Sequence, residues 1–254
     1  MARFRPSPHQ LSSALVLLIL VAGVVVARHQ RSQTPAPVSP ASQPPPEPFQ
    51  AQRLAENLEL GPNNQALVLK TLRHNDQQWL PKLERMPDGT VRYSYKRRRG
   101  EPAKTLDQLK AMTKSPPRHE QEQRAIQRLL YELNRSGATL VIAPPKQASA
   151  AGEWNPRRGE LRIRQSVVER GTVEFTKVLN HEAIHTAQSC AGGSIRSRPK
   201  PLGLSRDISR QAMRQLNKAL YGEITTQQRI LEEEAYANQS NLTIGGDLLV
   251  EHCR

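Results

Sequence analysis

The spacing of apolar positions predicts a chain with more helix than strand. Ile126, Leu129 and Leu133 recur at the interval of an amphipathic helix, and Gly137 follows where that helix is expected to end. A second helix is predicted over residues 171–188, with an acidic side chain in its first turn. Other helices are predicted within residues 52–85, near residues 207–220 and near residues 226–239.

Alternating or continuous apolar positions predict a few short strands. In residues 86–95 an Asp88-Gly89 turn precedes alternating apolar and polar positions, which indicates a strand or hairpin. Residues 138–145 form a continuous apolar run that ends in two prolines, as expected of a buried strand. Residues 159–166 alternate apolar and arginine side chains and are expected to form an edge strand. Together these elements predict an α+β fold.

An uncharged apolar run occupies residues 11–27, with Arg3 and Arg5 before it and Arg28 after it. Its length is at the lower end of the roughly 17–25 residues that span a membrane as a helix. A cleaved signal peptide is the alternative, because Val25-x-Ala27 resembles a cleavage site. We expect an uncleaved single-pass transmembrane helix. The folded part would then lie outside the cytoplasm, in a periplasm or thylakoid lumen, or be secreted if the N-terminus is cleaved.

Differences in composition divide the residues outside the apolar run into four segments. A short tail, residues 1–10, precedes the apolar run, and the proline-rich residues 28–50 predict an extended linker. Residues 51–117 are expected to form a mostly helical accessory region, and residues 118–254 the principal domain.

The formal net charge of +14 favours contact with anionic surfaces such as lipid headgroups beside the predicted membrane anchor. Aromatic residues make up only 4% of the chain, so the stacking platform of single-strand nucleic-acid binders is missing. We therefore expect no nucleic-acid partner.

The predicted helix at residues 171–188 contains His181, Glu182 and His185 in a His-Glu-x-x-His pattern. Residues four apart lie on one helix face, so both imidazoles can reach one metal ion. Glu182 borders the same face and can take a proton from a water activated by that ion. The pattern predicts two zinc ligands and one general base.

A catalytic zinc ion needs a third protein ligand. Glu232, Glu233 and Glu234 lie together in the helix predicted near residues 226–239. Successive helical residues turn by about 100°, so only one of the three can face a given ion. The spacing alone leaves open which one it is.

A His-Glu-x-x-His motif followed by Glu-x-x-Ala on a second helix resembles the zincin metallopeptidases, specifically the gluzincin branch. The resemblance implies a zincin-like fold, in which the edge strand of a small sheet packs on the motif helix. Residues 159–166 are the candidate edge strand. The whole chain is also similar to a cyanobacterial membrane-associated family, which implies no particular activity.

The resemblance implies peptide-bond hydrolysis with Zn²⁺ as cofactor. It selects Glu232 as the third ligand beside His181 and His185, because Ala235 follows three residues later, and it makes Glu182 the catalytic base. The family often has Asp at the position of Tyr236, so this chain lacks that partner for a ligand. Either Tyr221 or Tyr236 is a candidate for the Tyr or His that often donates to a developing oxyanion in this family, and core packing is the alternative role for each.

Cys190 and Cys253 are the only cysteines. In an exported domain we expect them to form a disulfide, and free thiols are the alternative. The function predicted from the sequence is a membrane-anchored zinc metallopeptidase with a peptide or protein substrate. The alternatives are a catalytically degenerate zincin-fold binding or scaffold protein, and a basic scaffold whose histidines have no metal role.

Overall fold

The computed structural model describes residues 23–27, 48–98, 100–216 and 225–253. Within these residues the chain has an α+β fold, so the predicted fold class is confirmed at that level, and the zincin-like arrangement stays a prediction. The strands are β1 (Gly23–Ala27), β2 (Glu59–Leu60), β3 (Lys82–Arg85), β4 (Val91–Tyr95), β5 (Thr139–Ile142), β6 (Gly152–Asn155) and β7 (Glu160–Ile163). The helices are α1 (Gln65–Asp76), α2 (Leu106–Lys114), α3 (Glu120–Arg135), α4 (Gln165–Glu169), α5 (Thr172–Ala191), α6 (Arg210–Leu216), α7 (Thr226–Asn238) and α8 (Ile244–His252).

A mixed four-stranded sheet has the strand order β2-β5-β7-β6. Strands β5 and β7 are parallel, whereas β2 and β6 pair antiparallel with their neighbours. Leu140 and Ile142 of β5 lie beside Leu161 and Ile163 of β7, and all four are buried. This alternation gives the sheet one apolar face, which packs into the core.

The edge strand next to the motif helix is β6, so the prediction for residues 159–166 is wrong. Strand β7 lies between β5 and β6 in the sheet interior. The alternation of apolar and polar residues in β7 indicates that one face of the strand is buried. It does not indicate whether the strand pairs with one neighbour or with two. Strand β6 packs against α5, and Trp154 Nε1 donates to Ser189 Oγ across 2.8 Å.

Strands β3 and β4 form the predicted hairpin, and Gly89 in its turn has a φ of +79°. Strand β1 pairs antiparallel with β4. The helical conformation predicted for Gly23–Ala27 is therefore wrong, since its consecutive valines favour extended backbone. Residues 11–22 of the predicted anchor and residues 28–47 of the predicted linker lie outside the described residues. Among the described helices, none has both the length and the apolar character needed to cross a membrane.

Helix α5 is the centre of the core and packs against α3, α7, α8 and strand β6. Phe175, Leu179 and Ile184 on this helix are fully buried. Val68 and Leu72 of α1 belong to the same hydrophobic core, so part of residues 51–117 packs on the elements after residue 118. The domain division at residue 117 stays a prediction, because shared packing does not show which part folds alone.

The first turn of α5 is capped from a distance by Asp76 of α1. Thr172 N donates to Asp76 Oδ1 across 2.8 Å, and Thr172 Oγ1 donates to Asp76 Oδ2 across 2.5 Å. A carboxylate at this end of the helix also interacts favourably with the helix dipole. This cap fixes where the metal-motif helix begins.

The last turns of α5 are tied to the C-terminal segment. Cys190 and Cys253 form a disulfide with Cα atoms 5.1 Å apart, which confirms the predicted pairing. Helix α8, which was not predicted, packs along α5 and α3. Asn180 Nδ2 donates to Asn241 O, and Asn180 Oδ1 accepts from Gly245 N, so α5 also holds the entry to α8.

We expect the double variant Cys190→Ser/Cys253→Ser to lose about 4 kcal/mol of unfolding free energy, because the bond closes a long loop in the unfolded chain. Urea unfolding of the variant and the wild type, without reductant, measures the difference. Dithiothreitol should destabilise the wild type and leave the variant unchanged. Equal midpoints for variant and wild type would contradict a stabilising role for the bond.

Candidate metal centre

The two motif histidines lie side by side in the middle of α5. His181 Nε2 and His185 Nε2 are 3.1 Å apart, and the ring planes meet at 80°. His181 is 8% exposed, and His185 is partly buried. The four-residue spacing predicted from the sequence therefore directs both Nε2 atoms toward one point.

Glu232 of α7 meets both imidazoles. Its Oε2 lies 3.5 Å from His181 Nε2, and its Oε1 lies 3.6 Å from His185 Nε2. One donor atom from each of the three residues lies within 4.8 Å of the others, so the group can hold a metal ion. Donor atoms that bind a tetrahedral zinc ion at about 2.0–2.2 Å lie about 3.4 Å from each other. The distance between the two Nε2 atoms is 3.1 Å, and the distances from Glu232 to them are 3.5 and 3.6 Å.

Two polar atoms at this point have no hydrogen-bond partner among the described residues although both are buried. They are His181 Nδ1 and Glu232 Oε2. A buried carboxylate oxygen without a hydrogen bond is unfavourable unless a cation compensates it. The donor set and this carboxylate oxygen both fit a bound divalent cation.

The three side chains form a strongly coupled electrostatic group. Burial opposes the charged form of His185, but the nearby Glu232 carboxylate outweighs it and raises the pKa of His185 to about 9. Burial also opposes the charged form of Glu232, but His185 and His181 lower the pKa of Glu232 well below its usual range. Without metal, the charge of Glu232 is therefore balanced by protonated His185 at neutral pH.

The three consecutive glutamates have three different environments. Glu233 accepts from Arg229 across 3.2 Å and lies 3.8 Å from Arg206. Glu234 is buried and accepts the backbone N–H groups of residues 202–204 at distances from 2.8 to 3.1 Å. Of the three, Glu232 is the one that reaches the histidines, and its role as a zinc ligand stays a prediction.

Gln188, one turn after His185, orients that imidazole. His185 Nδ1 lies 2.8 Å from Gln188 Oε1, and Gln188 Nε2 donates to Leu231 O across 3.1 Å and to Glu234 Oε2 across 2.9 Å. Because the amide nitrogen faces two acceptors, the amide oxygen must face His185. Nδ1 then keeps its proton when His185 becomes neutral, which leaves Nε2 with a lone pair for a metal. Gln188 was not predicted as a site residue, although its three-residue spacing from His185 places it on the same helix face.

Glu182 lies between α5 and the edge strand. Its side chain is buried, and the backbone N–H of Trp154 donates a hydrogen bond to it. A Cβ at Gly152 would lie 2.7 Å from Glu182 Oε1, so only glycine permits this close approach of β6. Burial raises the pKa of Glu182, and the two nearby histidines oppose that increase.

Tyr236 also belongs to this site. Its ring centroid lies 4.6 Å from that of His181 at an interplanar angle of 66°. Tyr236 thus supplies an edge-on aromatic contact to His181, and Gln188 supplies the hydrogen bond to His185. Tyr221, the other candidate oxyanion donor, lies outside the described residues.

Comparisons of this chain with protein-family models, with curated proteins and with solved structures find no match. The resemblance to the zincins therefore rests on the two motifs alone.

We expect Gln188→Leu to lower zinc affinity by about 10- to 100-fold, because His185 loses the acceptor that sets its tautomer and ring orientation. Competition with a chromophoric chelator measures the affinity. The matched control is Gln78→Leu, which removes hydrogen bonds to Asn75 O and Glu169 O far from the metal centre. An equal loss of affinity in both variants would contradict a specific role for Gln188.

Zinc binding should release about one proton at neutral pH, because the ion must displace the proton that Glu232 stabilises on His185. The raised pKa means that apparent zinc affinity increases as the pH rises from 6.5 towards 9 and levels off above that range. Calorimetric titration in two buffers with different ionisation enthalpies counts the protons. If no proton were released near pH 7.5, His185 would be neutral in the metal-free protein.

Proposed function

We propose that this protein is a zinc-dependent metallopeptidase that hydrolyses peptide bonds outside the cytoplasm, anchored by its N-terminal apolar segment. The observation that carries the proposal is the convergence of His181, His185 and Glu232 within 4.8 Å. Two imidazoles and one carboxylate suit zinc, and three protein ligands leave a coordination position for chemistry. These three residues would hold the zinc ion, which would supply a water of lowered pKa and a Lewis acid for the peptide carbonyl.

Glu182 is the proposed general base. It follows His181 directly, and its buried position raises the pKa of its carboxyl group. A raised pKa brings a carboxyl closer to the range in which it can accept a proton from water and later donate one to the leaving amine. The hydrogen bond from Trp154 N orients the carboxylate, since it joins Glu182 to the backbone of β6.

Two further features support an extracytoplasmic location. The Cys190–Cys253 disulfide is of the kind that persists in oxidising compartments. The apolar residues 11–22, which precede β1, supply the proposed anchor or, if cleaved, the export signal. The substrate is a peptide or protein, and the positive net charge allows contact with anionic lipid headgroups.

A degenerate zincin-fold protein that binds a partner without hydrolysis is the second candidate. The observation in its favour is the burial of Glu182, which is only 5% exposed and lies closely against Gly152. A base packed in this way needs a shift of β6 or of its own side chain to meet a substrate water.

We expect Glu182→Gln to lower peptide hydrolysis by at least about 100-fold while one zinc ion per chain remains bound, because the base is lost and the ligands are kept. Hydrolysis of a mixed peptide library and metal analysis of the purified full chain measure the two effects. His185→Ala is the companion variant and should lose both zinc and activity.

The outcomes separate the candidates. Stoichiometric zinc without cleavage of any peptide by the wild type would favour the degenerate binding protein. Loss of zinc from Glu182→Gln would contradict the division into ligands and base. Wild-type protein without zinc would reject a metal role for the histidines.

A further inference from the structure

A basic segment lies between the metal-motif helix and α6. We call residues 194–210 the basic strap. It contains five cationic side chains and one acidic side chain, Asp207. The cations are all exposed: Arg196, Arg198, Lys200, Arg206 and Arg210.

Backbone hydrogen bonds tie the basic strap to both helices that carry the metal ligands. Lys200 N donates to Gln188 O across 2.9 Å, one turn beyond His185 on α5. Leu202 N and Leu204 N donate to Glu234, two residues beyond Glu232 on α7. The backbone of the strap is thus anchored to both helices that carry the metal ligands, and the exposed cationic side chains extend from this restrained segment.

Most of the positive charge on the basic strap is not neutralised by the protein. Among the described residues, only Arg206 of the five has a carboxylate within 4.0 Å, and that carboxylate, Glu233, also pairs with Arg229. Arg198 contacts a neutral partner, with Nη2 3.3 Å from Gln227 Oε1. Exposed cations at the rim of a site attract ligands of opposite charge and disfavour ligands of like charge.

We propose that the basic strap selects acidic peptides as the substrates of this site. The inference rests on the proposed peptidase function and names its substrate class. Aspartate and glutamate side chains flanking the cleaved bond contact the strap cations, while the bond itself lies at the metal centre. Attachment to the two helices that carry the metal ligands places the strap next to the site, which favours a ligand that also reaches the metal centre over a lipid surface.

The test compares two fluorescent peptides, one with three Asp or Glu residues and one with Asn or Gln in their place. Binding is measured by anisotropy with the zinc-loaded, full-length Glu182→Gln protein in detergent at low salt. We expect the acidic peptide to bind about tenfold more tightly, with a preference that shrinks as salt is added. Cleavage of the same peptides by the wild type should show the same preference.

The strap variant Arg196→Ala/Arg198→Ala/Arg206→Ala should lose the preference. Its matched control is Arg85→Ala/Arg97→Ala/Arg124→Ala, which removes equal charge from exposed positions outside the strap and should keep the preference. Circular dichroism checks that both variants are folded. An equal effect in both variants would assign the preference to net charge and overturn the proposal.

Other outcomes are equally decisive. Equal binding of both peptides overturns the strap proposal, and cleavage without charge preference does so while leaving the peptidase function intact. Binding with the expected preference but no cleavage rejects the peptidase function and keeps the strap as a peptide-binding surface. If mixed micelles containing phosphatidylglycerol, and not the acidic peptide, show strap-dependent binding, the strap serves lipid headgroups and the proposal fails.

Discussion

The contact between the Glu232 carboxylate and the two imidazoles of α5 is the interaction on which the site depends. It places an anion in a largely buried position, where a charge is tolerated only with a compensating partner. Protonated His185 can provide that compensation, and a divalent cation can replace the proton. The same three side chains therefore join α7 to α5 and define the point at which the proposed chemistry would occur.

Contacts along α5 hold the two histidines in position for this interaction with Glu232. Asp76 holds the first turn of α5, and the disulfide at Cys190 holds its last turn. Between them, Asn180 binds the chain entering α8, while Gln188 binds both His185 and Glu234. Because the motif helix is restrained along its whole length, the imidazoles need little reordering to accept an ion, which favours tight binding.

Three consecutive glutamates of α7 make three different electrostatic interactions. Glu232 faces the histidines, Glu233 pairs with arginines, and Glu234 accepts backbone N–H groups from the basic strap. Of the three, Glu232 is the glutamate directed at the metal centre, and the strap with its exposed cations is attached to the same helix through Glu234. The chemistry proposed for this protein follows from that arrangement, with Glu182 between the metal ligands and the edge strand β6.

Local sequence patterns determined the parts of this protein that need only neighbouring residues. Helix α3, strand β5, the β3–β4 hairpin and the pairing of His181 with His185 follow from periodicity and turn residues. Tertiary contacts alone decided that β6 is the edge strand, that Asp76 caps α5 and that Gln188 orients His185. They also brought Glu232 to the histidines, an assignment that residue spacing left open. These features join segments distant in the chain, or depend on which face of a helix is buried, and periodicity carries neither kind of information.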